Sequence, residues 1–134
     1  MRSFNLKIAT PDGVVFDGKA ESLLVRTAEG DAEIMAGHAD FLSALGTGRV
    51  RIIANGERRI ASSSGGFVSV KSGEVSLVST TFEFADEIDV KRARAAKESA
   101  EAALSSAGDK NTEAVLKAKL ARALSRIDVW EMGR

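Results

Sequence analysis

The sequence predicts a β + α protein, with an N-terminal antiparallel β-sandwich over residues 1–84 and a C-terminal antiparallel two-helix hairpin over residues 87–134. Two observations predict this division. Ten of the twelve glycines and the only proline lie before Glu83, and both residue types are typical of turns. After Asp86, alanine and charged residues dominate, which favours helices. With 134 residues the chain can bury one modest core.

The first part of the chain contains short strand patterns separated by turn residues. Phe4, Leu6 and Ile8 alternate with polar neighbours, and Thr10-Pro11-Asp12-Gly13 supplies the first turn. Turn signals recur about every 8–12 residues without an intervening helical pattern, which indicates a sandwich or a flattened barrel. The further predicted strands cover residues 14–16, 21–27, 33–35, 41–45, 49–54, 57–62, 67–70 and 75–81.

Two glycine-containing pairs have specific meanings within this region. Asn55-Gly56 is the strongest hairpin signal, because a two-residue hairpin turn needs a positive φ at both positions. Gly65-Gly66 is not a phosphate loop, since no Lys-Ser/Thr follows it at the required spacing. We therefore interpret this second pair as a tight bend or a bulge.

The second part of the chain predicts two helices packed against each other. Asp89 is placed to cap the first helix, and the break falls within residues 105–110, around Gly108. Because alanine buries little area, a hairpin packed this way should be only marginally stable alone and able to detach. The predicted apolar stripes are Ala93, Ala96, Ala100, Ala103 and Leu104 on the first helix, and Leu116, Leu120, Ala123, Leu124, Ile127 and then Trp130 on the second, which starts near Thr112.

Composition excludes several classes of function. The net charge is zero and the basic residues are interspersed with acidic ones, so the footprint of a general nucleic-acid binder is absent. There is no cysteine and only one histidine, which excludes thiolate chemistry and multi-histidine metal sites. We expect no signal peptide and no membrane-spanning segment, because no long continuous apolar run occurs.

Four short motifs occur in order along the chain: Thr10-Pro11-Asp12-Gly13, then Glu29-Gly30-Asp31 leading to Gly37-His38-Ala39, then Ser64-Gly65-Gly66-Phe67-Val68, and finally Ile88-Asp89 followed by Arg92-Ala93. Each motif is weak alone, but their order and spacing on a β-then-helical layout form a specific combination. On these motifs the chain resembles, over nearly its whole length, the epsilon subunit of the rotary, proton-translocating F-type ATP synthase.

The resemblance implies a non-catalytic rotor subunit of the central stalk. Members of that family bind the gamma subunit through the sandwich and touch the ring of c subunits with one end of it. Their helical hairpin lies folded on the sandwich or extends into the catalytic α/β ring and blocks rotation. The resemblance also implies a peripheral position on the cytoplasmic face of the bacterial plasma membrane, with no catalytic residue, no metal and no required cofactor in this chain.

Three arginines of the hairpin form a candidate anion site. Arg122 and Arg126 lie one turn apart on one face of the second helix, and Arg92 lies on the first helix. Guanidinium groups suit a triphosphate because their donors form a planar fork. From spacing alone, a solvated surface of salt bridges is the favoured interpretation. The resemblance implies ATP as a regulatory ligand, and the residues it assigns are Glu83, Ile88, Asp89, Arg92, Ala93, Arg122 and Arg126.

The same resemblance carries two further expectations. Tightly binding members have a basic residue where this chain has Ser99, so we expect weak ATP binding here. The segment from Asp31 to Asp40, with His38 within it, is expected to face the base of the rotor. Without the resemblance, a lone loop histidine such as His38 is more simply a structural residue.

Two other classes of function stay open from the residues alone. One is a stand-alone binding or adaptor module, for which exposed aromatic clusters would be the sign, although the chain has only six Phe, one Trp and no Tyr. The other is a small carboxylate enzyme using the cluster Glu83, Asp86, Glu87 and Asp89, which a solvated linker explains more simply.

Overall fold

The computed structural model describes residues 2–133 and contains ten strands followed by two helices. The two parts are joined by a single 3₁₀ turn, Ala85–Glu87. The strands are β1 (Phe4–Thr10), β2 (Gly13–Ala20), β3 (Ser22–Thr27), β4 (Gly30–Met35), β5 (Phe41–Ala44), β6 (Gly48–Ala54), β7 (Glu57–Ser64), β8 (Phe67–Lys71), β9 (Glu74–Val78) and β10 (Thr81–Phe84). The helices are α1 (Val90–Leu104) and α2 (Lys110–Met132).

The strands form two five-stranded sheets, which confirms the predicted sandwich. The first sheet has the order β2-β1-β9-β8-β5, and the second has the order β10-β7-β6-β3-β4. The pairing differs from the prediction at one place, because β1 and β9 run parallel while the other pairs are antiparallel. A parallel pair needs a long connection, and here β2 to β8 supply it.

The core lies between the two sheets and follows directly from the alternation in the sequence. Phe4, Leu6 and Ile8 of β1 point inward, and their polar neighbours point outward. Each fully buried large apolar side chain contributes about 1.5–3 kcal/mol. The side chains that are almost completely inaccessible to solvent are Leu6, Ile8, Leu23, Val25, Ile34, Val50, Ile52, Val68 and Leu77.

The two glycine-containing pairs take the conformations that the sequence indicates. Asn55 and Gly56 both have positive φ, at 54° and 75°, and they close the β6–β7 hairpin. Gly65 and Gly66 also have positive φ and connect β7 of the second sheet to β8 of the first. A Cβ at Gly66 would lie 1.8 Å from the carbonyl oxygen of Val78, so no other residue fits there.

The strand boundaries differ most from the prediction at two places. Asp17-Gly18 does not end a strand, because β2 runs through both residues and pairs with β1 along its whole length. The strand predicted over 75–81 is two strands, since the chain leaves the first sheet after Val78 and enters the second at Thr81. The Oγ of Ser79, fully buried at this crossing, donates to the carbonyl of Thr81.

The helical hairpin forms as predicted. The side chains of Asp89 and Asp109 accept hydrogen bonds from the backbone N–H groups of Arg92 and Thr112 and so cap α1 and α2. The predicted stripes are only partly buried, because the second sheet covers a second face of α2. Ala96 and Leu124 are therefore exposed, and the buried helix residues are Ala93, Ala100, Ala123, Ser125 and Val129.

The hairpin rests on the outer face of the second sheet through a small contact. Val129 of α2 packs with Ile60 of β7 and Ile88, which lies just before α1. Beside them, the hydroxyl groups of Ser62 and Ser125 form a buried hydrogen bond of 2.8 Å. The contact therefore combines a few apolar side chains with one buried polar pair.

Candidate functional site

A groove runs between α1 and α2, starting at the edge of the second sheet and continuing outward along the hairpin. Its first part, which we name the inner pocket, measures about 310 Å³. Its side chains come from strand β10, from the cap and first turns of α1, and from one residue of α2. The inner pocket is lined by Glu83, Asp89, Arg92, Ala93, Ala96 and Arg126.

The second part of the groove, which we name the outer pocket, adjoins the first and shares Ala96 and Arg126 with it. It also measures about 310 Å³ and lies farther from the sandwich. No carboxylate contributes to its lining among residues 2–133. The outer pocket is lined by Ala96, Ser99, Ala100, Ala103, Leu116, Lys119, Arg122 and Arg126.

Arg126 stands at the junction of the two pockets and is held by an ion pair. Its Nε lies 2.7 Å from Oε1 of Glu83, and about a third of each side chain is exposed. Within the described part of the chain, the terminal nitrogens of Arg126 and Oε2 of Glu83 form no hydrogen bond. Both groups can therefore still bind a ligand while the ion pair fixes their positions.

The structure brings together most of the residues assigned to the ATP site. Glu83, Asp89, Arg92, Ala93 and Arg126 surround the inner pocket, and Arg122 lies in the outer pocket. These residues come from three separate elements, so they meet only when the hairpin lies folded on β10.

Ile88 occupies a different position from the other assigned residues. Its side chain is buried in the apolar cluster with Ile60 and Val129 and lines neither pocket. This placement anchors the start of α1 on the sheet, directly before the capping carboxylate of Asp89. Ile88 therefore positions the site through packing.

Lys119 is a groove residue that the sequence analysis did not single out. It lines the outer pocket together with Ser99 and Arg122. The available signal was its spacing, because positions 119, 122 and 126 lie at i, i+3 and i+7 on one helical face. Six other basic side chains on the two helices obscured this signal, since periodicity alone does not show which face borders a groove.

The residues expected at the rotor interface lie at two separate places. Asp31 lies at the start of β4, whereas His38 and Asp40 lie in the turn beyond its end. Because β4 lies between them, about 13 Å of strand separates Asp31 from the turn. The segment 31–40 is therefore not a single loop.

Each of these three side chains has local partners. The Nε of Arg26 donates to Asp31 at 2.6 Å, and this hydrogen bond holds the pKa of the Asp31 carboxyl below its ordinary value. His38 lies with Nδ1 2.7 Å from its neighbour's carbonyl oxygen, that of Ala39. The carboxylate of Asp40 accepts a hydrogen bond from the backbone N–H of Ser72 at 2.9 Å.

The outer face of the first sheet is open and carries apolar side chains in register. Directly opposed residues on its five strands form one apolar row across the sheet, and Leu42, 72 % exposed, lies beside it. Phe67 in this row is 45 % exposed. The apolar row consists of Val14, Ala9, Val78, Phe67 and Ala44.

Residues 2–133 contain no group of three or more His, Cys, Asp or Glu side chains arranged to hold a metal ion. No described helix has the length and apolar character needed to cross a membrane.

Comparison with protein families assigns both parts of the chain. Residues 3–85 match the family described as ATP synthase, Delta/Epsilon chain, beta-sandwich domain. Residues 86–131 match the family described as ATP synthase, Delta/Epsilon chain, long alpha-helix domain.

Individual relatives agree with this assignment. The ATP synthase epsilon chain of Shouchella clausii is 39 % identical over 131 residues and covers 96 % of both chains. That of Bacillus velezensis is 36 % identical over 129 residues, covering 96 % of this chain and 98 % of the relative.

Similar folds occur in two mitochondrial ATP synthase structures. A chain of the Euglena gracilis enzyme has a TM-score of 0.79 at 23 % identity and covers 98 % of this chain and 81 % of that one. A chain of the Tetrahymena thermophila central stalk and c-ring structure has a TM-score of 0.62 at 13 % identity. The match covers 98 % of this chain and 96 % of that one. From its family matches and its bacterial relatives, the chain belongs to the ATP synthase delta/epsilon family, as an epsilon-type, non-catalytic member.

Proposed function

We propose that this chain is a central-stalk subunit of a bacterial ATP synthase, and that its hairpin regulates ATP hydrolysis through a folded state that binds ATP. The observation that carries the regulatory part is the groove between α1 and α2. The two carboxylates of the groove line its inner pocket together with two arginines, whereas the charged groups that line the outer pocket are all cations. This polarity suits a nucleotide, whose base and ribose carry donors and whose phosphates carry negative charge.

The polarity of the groove sets the orientation of the ligand. The free oxygen of Glu83 can accept from the adenine amino group or a ribose hydroxyl, and it repels phosphate. The phosphates therefore extend from Arg92 and Arg126 toward Arg122. Arginine suits this role, since its planar fork can donate two hydrogen bonds to one phosphate.

Binding to the groove is coupled to the position of the hairpin. The binding groups come from β10, α1 and α2, so a detached or extended hairpin loses the site. A ligand that binds only one state shifts the equilibrium toward that state by its differential affinity. ATP at 100 times its Kd would stabilise the folded hairpin by about 2.7 kcal/mol. High ATP would thus keep the hairpin away from the catalytic α/β ring.

Calorimetric titration with ATP tests the site. We expect weak binding by the wild-type protein, and a loss of binding in Arg126→Ala and Arg92→Ala. Lys91→Ala is the matched control, because Lys91 is adjacent to Arg92 on α1 but lines neither pocket. If the wild-type protein shows no heat and no chemical-shift change at millimolar ATP, the groove is not a nucleotide site.

For the rotor contact, we propose that the open face of the first sheet packs on the gamma subunit, with the turn of His38 and Asp40 beside it. The apolar row is exposed on this face, whereas α2 covers part of the second sheet. The end of the sandwich that carries Asp31 then lies at the c ring. In this assembly the chain is peripheral, at the cytoplasmic face of the plasma membrane.

Co-purification with the gamma subunit and the c ring tests the rotor contact. Phe67→Asp should reduce recovery of gamma, because it places a charge in the apolar row. Charge reversal at Asp31 combined with His38→Glu should weaken assembly as well. Val115→Asp is the control, since Val115 is 55 % exposed on the hairpin, away from the sandwich. Equal recovery of gamma by all variants would contradict the proposed face.

A further inference from the structure

We propose that Lys119 is a specificity-determining residue of the groove, and that it binds the terminal phosphate of a nucleoside triphosphate. This inference rests on the proposed nucleotide site and deepens it. Lys119 lines the outer pocket, about one helical turn beyond Arg122 along α2 and away from the carboxylates of the inner pocket.

The charge pattern of α2 is the first argument. Lys119, Arg122 and Arg126 lie on one face of the helix, and neighbouring like charges at these spacings destabilise a helix. Within residues 2–133 neither Lys119 nor Arg122 forms an ion pair, and no carboxylate lines their pocket. A bound polyphosphate would remove this repulsion.

The neighbouring lysine of α2 shows the contrast. Lys117 forms an i,i+4 ion pair of 2.8 Å with Glu113 and lines neither pocket. Of these two lysines, only the one facing the groove lacks a carboxylate partner among residues 2–133. The ammonium group of Lys119 is therefore available to an anion in the groove, while that of Lys117 is already paired.

Distance along the helices is the second argument. Seven residues separate Lys119 from Arg126, which corresponds to about 10 Å of helix. With the base held at Glu83 and the first phosphates at Arg92 and Arg126, Lys119 comes last along the groove. A ligand with two phosphates therefore makes less use of Lys119 than one with three.

The position of Ser99 completes the argument. Ser99 lines the same outer pocket from α1, opposite Lys119 and Arg122 on α2. A positive charge can enter this pocket from either wall. In this chain α2 supplies it through Lys119, while α1 contributes only a hydroxyl group.

The test compares ATP and ADP binding by calorimetry in wild type, Lys119→Ala and Lys117→Ala. For Lys119→Ala we expect the Kd for ATP to rise about fivefold, the factor given by about 1 kcal/mol at an exposed charge. The Kd for ADP should change less than about twofold on the same scale. Lys117→Ala should bind both nucleotides like the wild type.

A compensating variant separates charge from helix structure. Ser99→Lys introduced into Lys119→Ala restores a cation to the pocket from the other wall and should restore ATP affinity. If the wild type binds ATP and Arg126→Ala abolishes binding, but Lys119→Ala behaves like Lys117→Ala, the role of Lys119 is overturned and the nucleotide site stands. If the wild type binds neither nucleotide, both proposals fail.

Discussion

The interior of the sandwich and the contact between the hairpin and the second sheet differ in the number and kind of buried side chains. The interior contains sixteen buried apolar residues drawn from both sheets. The hairpin contact contains three, Ile60, Ile88 and Val129, with the buried Ser62–Ser125 hydrogen bond beside them. A net hydrogen bond contributes about 0.5–1.5 kcal/mol, less than one fully buried leucine.

This difference is what the proposed regulation requires, namely a sandwich that stays folded and a hairpin that a bound ligand can hold in place. The sandwich closes a large apolar core that no single ligand could open. The hairpin contact is small enough for the few kcal/mol of a bound nucleotide to shift it. Substitutions in the two regions should therefore differ in the size of their effects.

The largest effect is expected in the sandwich core. Leu77→Ala should lower the free energy of unfolding by about 2–5 kcal/mol, because Leu77 is fully buried between the sheets. Urea unfolding followed by circular dichroism measures this loss. The control is Leu42→Ala, at a site 72 % exposed, which should change stability by less than about 0.5 kcal/mol. Equal losses in both variants would contradict this description of the core.

Removal of the hairpin should have a smaller effect than this single core substitution. A chain truncated after Ala85 should keep a sharp, cooperative thermal transition. Ile60 is the only large buried apolar residue of the strands that packs against the hairpin, so it alone becomes exposed when the hairpin is removed. Scanning calorimetry of the truncated chain measures the transition. A broad melt without a cooperative step would show that the sandwich needs the hairpin.

The buried serine pair should affect docking of the hairpin without affecting the sandwich. Ser62→Ala or Ser125→Ala alone leaves one buried hydroxyl unpaired, at a cost of about 1–3 kcal/mol. The double substitution should recover most of this loss. Hydrogen exchange of the α2 amides measures docking, and Ser69→Ala on the far sheet is the control. Additive effects of the two substitutions would argue that the hydroxyl groups do not interact.

The smallest effect concerns pH. The pKa of Asp31 is lowered by its hydrogen bond from Arg26, so its contribution to stability is present above the ordinary carboxyl pKa of about 3.9. The contribution is lost as the pH falls through the lower pKa of the folded state. Because the pair is partly exposed, it amounts to less than about 1 kcal/mol.

Urea midpoints at pH 6 and pH 2.5 measure this contribution. Asp31→Asn should lose less stability than the wild type on acidification. Asp12→Asn is the control, since Asp12 forms no ion pair within residues 2–133. An identical pH response of Asp31→Asn and the wild type would exclude the pair as a source of stability.

Most of the fold could be predicted from the sequence because it depends on local signals. Positive φ at Asn55 and Gly56, the cap at Asp89 and the alternation in β1 are each encoded within a few residues. The parallel pairing of β1 with β9 could not be predicted, since nothing local specifies which distant strand becomes the neighbour.

The site was predictable to a lesser extent. Arg122 and Arg126 follow from helical spacing, but the ion pair of Arg126 with Glu83 depends on how α2 lies across β7 and β10. The same packing placed Ile88 in an apolar cluster and Leu124 at the surface. The apolar row was hidden for another reason, because its members lie on five strands and align only through the sheet register.

The parallel β1–β9 pair also governs the order in which the protein can be made. The side chains of Asn5 in β1 and Glu74 in β9 form a hydrogen bond although they are 69 positions apart. Strand β1 can therefore pair with β9 only after most of the sandwich sequence has been synthesised. Four neighbouring strands of the second sheet, β3, β4, β6 and β7, pair with one another and are all complete before β9 begins at Glu74. Pairing between distant strands is slow because the entropy cost of closing the intervening loop comes before any stabilising contact between the strands. On the ribosome, the sheet that will carry the hairpin therefore forms with its apolar inner face still uncovered, and this is the stage at which a nascent chain most needs a chaperone.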